Sequence, residues 1–227
     1  MKLARKLGKL VSREAYRRGW RRAQRSIFRL PFGPVLAGID QNRLREIEQR
    51  YAGSKYADVD QWLRVNRERV QDLKLHRARS QRVLDLGCGG GFFLFILKRF
   101  NHSVLGLDVD RSPLFTELLN AFGVPRIVFE IKPFEPLPDL GQQFDWITAF
   151  SIGFDRYPDT RARWGVKEWD FLLRDLQRHL ATRGKIYLTV NPLADGSYLA
   201  PDVRQFFRAR GADTERERIF FKNGLRN

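Results

Sequence analysis

The stretch that decides the fold is Val83-Leu-Asp-Leu-Gly-Cys-Gly-Gly-Gly-Phe92, in which a short apolar run ends in a cluster of glycines. The apolar run predicts a buried β-strand at 82–86, and the phenylalanine-rich run after the glycines predicts a helix at 92–100. Glycines between a strand and a helix let the backbone approach a ligand closely at the carboxyl edge of a sheet. The stretch therefore predicts a ligand site at the end of this strand.

The glycine spacing differs from the dinucleotide-binding fingerprint. That fingerprint has glycine at its first, third and sixth positions, and the sixth position here is Phe92. Asp85 lies inside the predicted strand, where a carboxylate suits a cationic ligand better than a pyrophosphate. A second carboxylate, Asp108, follows Gly87 by 21 residues at the end of the next predicted strand. A carboxylate in that position can accept hydrogen bonds from both hydroxyls of a ribose.

Strand and helix patterns alternate through the rest of the chain. Asp40 and Asp58 are predicted N-caps of two helices that precede the glycine stretch. Alternating strands and helices predict an α/β fold with a mainly parallel sheet covered by helices on both faces. Gly184 is predicted to end a helix that precedes the fifth strand. The predicted helices are 40–51, 59–75, 112–122, 168–180 and 202–210, the further strands are 103–108, 127–131, 145–151 and 185–190, and 212–222 is a final strand or hairpin.

The composition narrows the class of protein. The 227 residues are 43% hydrophobic, enough for a sizeable core, and carry a net charge of +16, which suggests an anionic partner. A single cysteine, Cys88, excludes an intrachain disulfide framework and fits a reducing, cytoplasmic compartment. The sequence has only this cysteine and three scattered histidines, too few typical ligands for a structural zinc site, so no metal site is expected. No apolar stretch approaches the roughly 20 residues that span a bilayer.

The positive charge is concentrated at the start of the chain. Residues 1–30 contain eleven basic residues and one acid, with apolar residues at helical spacing. Prolines at 31 and 34 end this pattern. We therefore divide the chain into a basic amphipathic N-terminal extension (1–34), a helical cap (35–80) and a main domain (81–227). Three interpretations of the extension stay open: it lies on anionic lipid, it binds nucleic acid, or it packs on the domain.

The glycine stretch with Asp108 resembles motif I and the following acidic position of the class I S-adenosylmethionine-dependent methyltransferases. The resemblance covers about 80–222 and includes Phe144-Asp-Trp-Ile147 and Gly184-Lys-Ile-Tyr-Leu188. It implies a Rossmann-like sandwich with strand order 3-2-1-4-5, an antiparallel strand at the end, and S-adenosylmethionine as cofactor. The stretches 51–56 and 164–169 are further similar to bacterial methyltransferases of small-molecule and glycan-biosynthesis type.

The resemblance also implies which residues bind the cofactor. Asp85 would orient the glycine loop or face the amino group of the methionine portion, and Asp108 would bind the ribose hydroxyls. The family's usual aspartate before a Leu-Pro pair is replaced here, so Phe134 is expected to stack on the adenine instead. The remaining cofactor residues implied are Gly87, Cys88, Gly89, Gly91, Val109, Phe150 and Ser151.

The chemistry that follows is methyl transfer by in-line displacement, for which the protein supplies mainly alignment and desolvation. An oxygen or nitrogen acceptor also needs a general base near its proton. Asp155 and Tyr157, just after the fourth strand, are the candidate catalytic residues. For Asp155 the alternative is a structural pairing with Arg156 or Arg161.

Three functional hypotheses remain. The first is a methyltransferase for a small-molecule, sugar or lipid-linked acceptor, held by the basic extension at the inner membrane face. The second is an RNA methyltransferase that uses the extension as an electrostatic arm. The third is a binding protein with a methyltransferase fold and no catalysis.

Overall fold

The computed structural model describes residues 36–157, 159–160 and 162–225. The predicted extension at 1–34 lies outside these residues. The strands are β1 (Arg82–Leu86), β2 (Ser103–Asp108), β3 (Arg126–Val128), β4 (Phe144–Ile152), β5 (Leu180–Val190), β6 (Asp213–Glu215) and β7 (Arg218–Phe221). The helices are α1 (Gln41–Arg50), α2 (Val59–Asp72), α3 (Phe92–Lys98), α4 (Pro113–Phe122), α5 (Val166–His179) and α6 (Pro201–Ala209), with a short 3₁₀ turn at Leu75–Arg77.

The described strands form one sheet with the order β3-β2-β1-β4-β5-β7-β6. The first five strands in this order run parallel, and β7 is antiparallel to both β5 and β6. This is the predicted order 3-2-1-4-5 with an antiparallel end, and 212–222 forms a hairpin whose second strand pairs with β5.

Helices cover both faces of the sheet, as predicted. Neighbouring residues of β1 belong to different hydrophobic clusters: Val83 packs with residues of α1 to α4, and Leu84 packs with residues of α5 and α6. The predicted caps also form, since Asp40 accepts hydrogen bonds from two backbone amides of α1 and Asp58 accepts one from Gln61. Because α1 and α2 share a cluster with α3 and α4, residues 36–80 of the cap pack against the sheet domain.

Two local predictions were wrong. The third strand ends at Val128 instead of 131. Its partner β2 ends at Asp108, and the last backbone hydrogen bond between the two segments runs from Phe129 N to Asp108 O. Gly184 does not end a helix: α5 stops at His179 and β5 starts at once, with its pairing to β4 interrupted between Leu180 and Lys185. A Cβ on Gly184 would lie 2.7 Å from Leu180 Cγ. Glycine is therefore needed here because the Leu180 side chain packs against this backbone.

The fold brings the carboxyl ends of β1, β2, β4 and β5 to one edge of the sheet. Within the part of the chain that the structure describes, no helix is both long enough and apolar enough to cross a bilayer.

Candidate active site

A cavity of about 620 Å³ opens at this edge, between the strand ends and α2. Most of the residues that the sequence analysis singled out line it, although they come from separate strands and loops. These residues are Asp85, Gly87, Cys88, Gly89, Asp108, Val109, Phe150, Ser151 and Tyr157.

The glycine loop presents bare backbone to the cavity. Gly87 and Gly89 have φ values of 71° and 54°, which lie in the left-handed region that residues with a Cβ rarely adopt. The backbone N–H of Gly87 donates to Leu107 O at 2.7 Å, which ties the loop to β2. A Cβ on Gly87 would meet nothing within 4 Å, so the open space beside it is available to a ligand.

Gly91 does not line the cavity and has a packing role. Its φ is 75°, and it is the residue before the first turn of α3. A Cβ there would lie 2.6 Å from Leu119 Cδ2, on α4. Gly91 therefore allows α3 and α4 to pack closely behind the loop.

Asp108 faces the glycine loop across the ends of β1 and β2. One carboxylate oxygen accepts from Gly89 N at 2.6 Å, and the other accepts from Val109 N at 2.7 Å. Burial raises the pKa of Asp108, and the two amide hydrogen bonds and the charge of Arg126 oppose the rise. Each oxygen keeps a second lone pair, which suits it to accept from ligand hydroxyls.

Asp85 lies buried beneath the loop. The hydroxyl of Thr148 donates to its Oδ1 at 2.7 Å. Burial raises the pKa of Asp85 to about 7, opposed by the Thr148 hydrogen bond and the charge of Arg69. A cation bound in the cavity would favour the ionised carboxylate.

Phe134, which was expected to stack on the adenine, lies outside the lining of this cavity. Its ring is about half exposed and packs edge-on against Phe171, with 5.8 Å between ring centroids, in a separate groove. Its φ of 60° lies in the left-handed region that residues other than glycine rarely adopt. Lys132 and Pro133 line the cavity in its place.

The two candidate catalytic residues have different surroundings. Asp155 is buried outside the cavity lining and pairs with Arg163, which is neither of the partners considered from the sequence. Burial raises the pKa of Asp155, and Arg163 opposes the rise. Tyr157 does line the cavity, and its hydroxyl donates to Glu168 Oε1 at 2.8 Å, which raises the pKa of the phenol.

Sequence reasoning missed the contribution of α2 and the loop before it. Tyr56, Trp62, Asn66 and Arg69 all line the cavity. The Arg69 guanidinium carbon lies 4.4 Å from the centroid of the Phe150 ring, and Nη1 donates to Asn66 Oδ1 at 2.9 Å. The helical pattern identifies Trp62 as apolar but treats Arg69 as an ordinary polar position, because no local signal shows which strand ends it meets.

Residues 83–184 match the family model for a methyltransferase domain. The match spans β1 to β4 and the start of β5, and it contains the glycine loop, Asp85 and Asp108. This part of the chain therefore belongs to the class I S-adenosylmethionine-dependent methyltransferases. The cofactor of that class is S-adenosylmethionine.

Two curated relatives illustrate the range of similarity. A tRNA U34 carboxymethyltransferase from Campylobacter jejuni subsp. doylei is 28% identical over 120 residues, which is 52% of this chain and 38% of that protein. A ubiquinone biosynthesis O-methyltransferase from Proteus mirabilis is 24% identical over 132 residues, 54% of this chain and 52% of that protein. The matches thus span only about half, or less, of the relatives' own length.

Two solved methyltransferase structures resemble this chain at low sequence identity. An amino pentose methyltransferase from Micromonospora echinaspora, solved with S-adenosylmethionine, has a TM-score of 0.42 and 23% identity, covering 67% of this chain and 58% of its own. A TehB-like methyltransferase from Corynebacterium glutamicum has a TM-score of 0.46 and 19% identity, covering 78% of this chain and 86% of its own.

Proposed function

We propose that this protein transfers a methyl group from S-adenosylmethionine to a small-molecule, sugar or lipid-linked acceptor in the cytoplasm. The observation that carries the proposal is the Asp108 carboxylate, which lies beside the bare backbone of Gly87 and Gly89 on one cavity. That cavity continues to Phe150 and Ser151 after β4. Its volume of about 620 Å³ falls in the range of small-molecule sites.

The residues present fit the cofactor. Asp85 would face the cationic amine of the methionine portion, and the Gly87 to Gly89 backbone leaves room for the ligand to lie against it. Asp108 would accept from the ribose hydroxyls through its remaining lone pairs, and Val109 would lie against the adenine. The chain at Lys132 and Pro133 borders the adenine where Phe134 does not reach.

The cofactor supplies an activated methyl group on a sulfonium sulfur. Bound in this cavity, it would supply that methyl group for in-line displacement by the acceptor atom, with S-adenosylhomocysteine as the leaving group. Tyr56, Trp62 and Phe154 enclose the cavity and exclude water from this displacement. Alignment and desolvation are the main effects that these walls contribute.

Tyr157 is the better placed of the two candidate catalytic residues. Its proton is donated to Glu168, so the phenol oxygen is oriented to accept a hydrogen bond from an acceptor hydroxyl or amine. Asp155 is held by Arg163 and instead positions the loop that carries Phe154 and Tyr157.

An RNA acceptor is the second candidate. It is favoured by the net charge of +16 and by the curated relatives named as tRNA-modifying enzymes. Binding of a bulk tRNA preparation that weakens steeply with salt, and that is lost on deletion of residues 1–34, would support it. Co-sedimentation with vesicles that contain anionic phospholipid, lost on the same deletion, would instead support a lipid-linked acceptor at the membrane face.

The deciding experiment is calorimetric titration of the full chain with S-adenosylhomocysteine. We expect micromolar binding to the wild type, strongly weakened by Asp108→Ala. Asp202→Ala, an exposed carboxylate in the first turn of α6, is the matched control and should bind as the wild type does. Folded wild-type protein that binds neither S-adenosylhomocysteine nor S-adenosylmethionine would contradict the proposal and favour a binding protein without catalysis.

A further inference from the structure

A second cavity, of about 340 Å³, lies beside the first at the ends of β4 and β5. Arg69, Phe150 and Ser151 line both cavities, so the two are neighbours across the Phe150 ring. Thr189 and Tyr198 line the second cavity only. The second cavity therefore adjoins the place where the methyl group would be transferred.

Arg69 places a partly buried cation at the boundary of the two cavities. Burial lowers the pKa of Arg69, and the negative charge of the nearby Asp85 opposes that shift. The guanidinium donates to Asn66 Oδ1 and lies over the Phe150 ring, which fixes its position. An arginine has five N–H donors, so this held guanidinium keeps donors for a ligand.

Two hydroxyl groups in the second cavity keep their protons for a ligand. Thr189 Oγ1 accepts from Ser151 N at 2.7 Å, and the Tyr198 hydroxyl accepts from Arg216 Nη2 at 3.2 Å. A hydroxyl that accepts in this way still donates its own proton elsewhere. Asp72 and Glu217 also line the cavity, so it pairs a cationic end with acidic groups that would attract ligand hydroxyls.

The wall between the cavities is held in an uncommon conformation. Ser151 has a φ of 53°, although it is not glycine. Asn191 Nδ2 donates to Ser151 O and to Ile152 O, each at 2.9 Å, which keeps this backbone in place. Positive φ at a non-glycine residue is maintained by its surroundings and is common at ligand sites.

We propose that the second cavity binds the methyl acceptor, and that Arg69 binds a carboxylate or phosphate group on it. The acceptor is thus a small, hydroxylated anion that contacts the Phe150 ring, Thr189 and Tyr198. This inference rests on the proposed methyltransferase function. Because Phe150 and Ser151 belong to both cavities, a molecule held at Arg69 lies next to the cofactor.

The test uses two probes of similar size, one anionic and one neutral. The full chain, saturated with S-adenosylhomocysteine, is titrated with 4-hydroxybenzoate and with its neutral analogue 4-hydroxybenzamide. We expect the wild type to prefer the carboxylate by about tenfold, as for one charge-assisted bidentate hydrogen bond. Arg69→Gln should abolish the preference, and both proteins are kept saturated with S-adenosylhomocysteine because Arg69 also lines the cofactor cavity. Arg64→Gln, an exposed arginine on the same helix, is the matched control.

Three outcomes would overturn the inference. Equal affinity for the two probes, or binding of neither, shows that the cavity does not select an anion. A preference that persists in Arg69→Gln, with its fold verified by circular dichroism, places the anion elsewhere. A loss of S-adenosylhomocysteine affinity in Arg69→Gln, with the probes unaffected, assigns Arg69 to the cofactor's own carboxylate. If Arg69→Gln does not fold, Arg69→Lys replaces it, and we expect a weakened preference. Failure of S-adenosylhomocysteine to bind the wild type is a separate result, which contradicts the proposed function itself.

Discussion

The Asp108 carboxylate, at the end of β2, accepts a 2.6 Å hydrogen bond from the backbone N–H of Gly89, in the loop after β1. The bond joins the glycine stretch to the second carboxylate, two residues that are 19 positions apart in the sequence. It orients the carboxylate at the cavity wall and holds the loop without any side chain from the loop itself. We therefore expect the same group to contribute both to the shape of the site and to cofactor binding.

Asp108→Asn tests this double role. The amide keeps the size of the side chain but presents an NH₂ group to one of the two backbone N–H donors. We expect a loss of roughly 1–3 kcal/mol in the free energy of unfolding, because a buried donor is left unsatisfied. Urea denaturation measures this loss, and titration with S-adenosylhomocysteine should show at least a tenfold weaker affinity. Unchanged values for both would show that the bond to Gly89 matters for neither.

Gly91→Ala and Gly87→Ala form a matched pair. Both positions have φ above 70°, so the backbone strain of alanine is similar in the two variants. At Gly91 the new Cβ would also lie 2.6 Å from Leu119 Cδ2, whereas at Gly87 it meets open space. We expect Gly91→Ala to be less stable than Gly87→Ala by about 1–3 kcal/mol, the usual cost of overpacking.

The same pair separates packing from binding. Because Gly87 borders the cavity and Gly91 does not, Gly87→Ala should weaken S-adenosylhomocysteine binding more than its modest effect on stability suggests. Thermal unfolding and calorimetry on both variants supply the two comparisons. Equal stability of the two variants would argue against close packing of α3 on α4.

Asp85 predicts a pH dependence of stability. Its pKa is raised by burial from 3.8 to about 7, so between those values the folded state holds a proton that the unfolded state has lost. Stability attributable to Asp85 therefore falls as pH rises from about 4 to 7 and is constant above that. The full shift corresponds to at most roughly 4 kcal/mol. Asp85→Asn should flatten the curve of unfolding free energy against pH over this window.

A cationic ligand should reverse part of this penalty. The amine of S-adenosylhomocysteine favours the ionised Asp85, so its affinity should increase from pH 6 to pH 8 in the wild type and change less in Asp85→Asn. An identical pH dependence in both proteins would mean that Asp85 does not face the amine.

Asp155 and Arg163 are expected to act on loop position. Arg163 pairs with Asp155 and donates to Asn191 O at 2.8 Å, so it joins the loop after β4 to the end of β5. We expect Asp155→Asn to destabilise the protein by about 3 kcal/mol, because it leaves a partly buried guanidinium without its anion. Once an acceptor is known, the pH profile of kcat/KM should keep its shape in this variant.

Tyr157→Phe is the comparison for Asp155→Asn. It removes the hydroxyl on the cavity wall but no buried charge, so its main effect should be on turnover, with a smaller effect on stability. Loss of one limb of the pH profile in Asp155→Asn, with stability intact, would restore Asp155 as the general base.

The elements with strong local patterns were predicted well. The strand at 82–86 and the helix caps at Asp40 and Asp58 follow from apolar spacing and from side chains that bond nearby amides. The error at Gly184 arose because a glycine after a helical pattern was interpreted as a helix end, whereas the chain enters β5 directly at Leu180. The end of β3 was misplaced because the partner strand determines where pairing stops.

The residues that line the candidate site were predicted only in part, because some follow from local pattern and others depend on contacts between distant segments. Asp85 and Asp108 follow from strand ends that any parallel sheet brings to one edge. Phe134 instead packs against Phe171 outside the cavity, because the direction of a side chain depends on contacts between segments distant in sequence. Pairing of Asp155 with Arg163 depends on how the loop after β4 folds back, which no spacing indicates.

The sequence by itself determined the order of elements, the glycine loop and the two carboxylates beside it. These depend on local periodicity, on the φ values open to glycine, and on the common edge of parallel strands. Only the tertiary structure decided that Arg69 on α2 meets Phe150 at the end of β4. That contact arises from the hydrophobic cluster that packs α2 against the sheet, and packing between distant segments depends on shape and volume that no short stretch of sequence encodes.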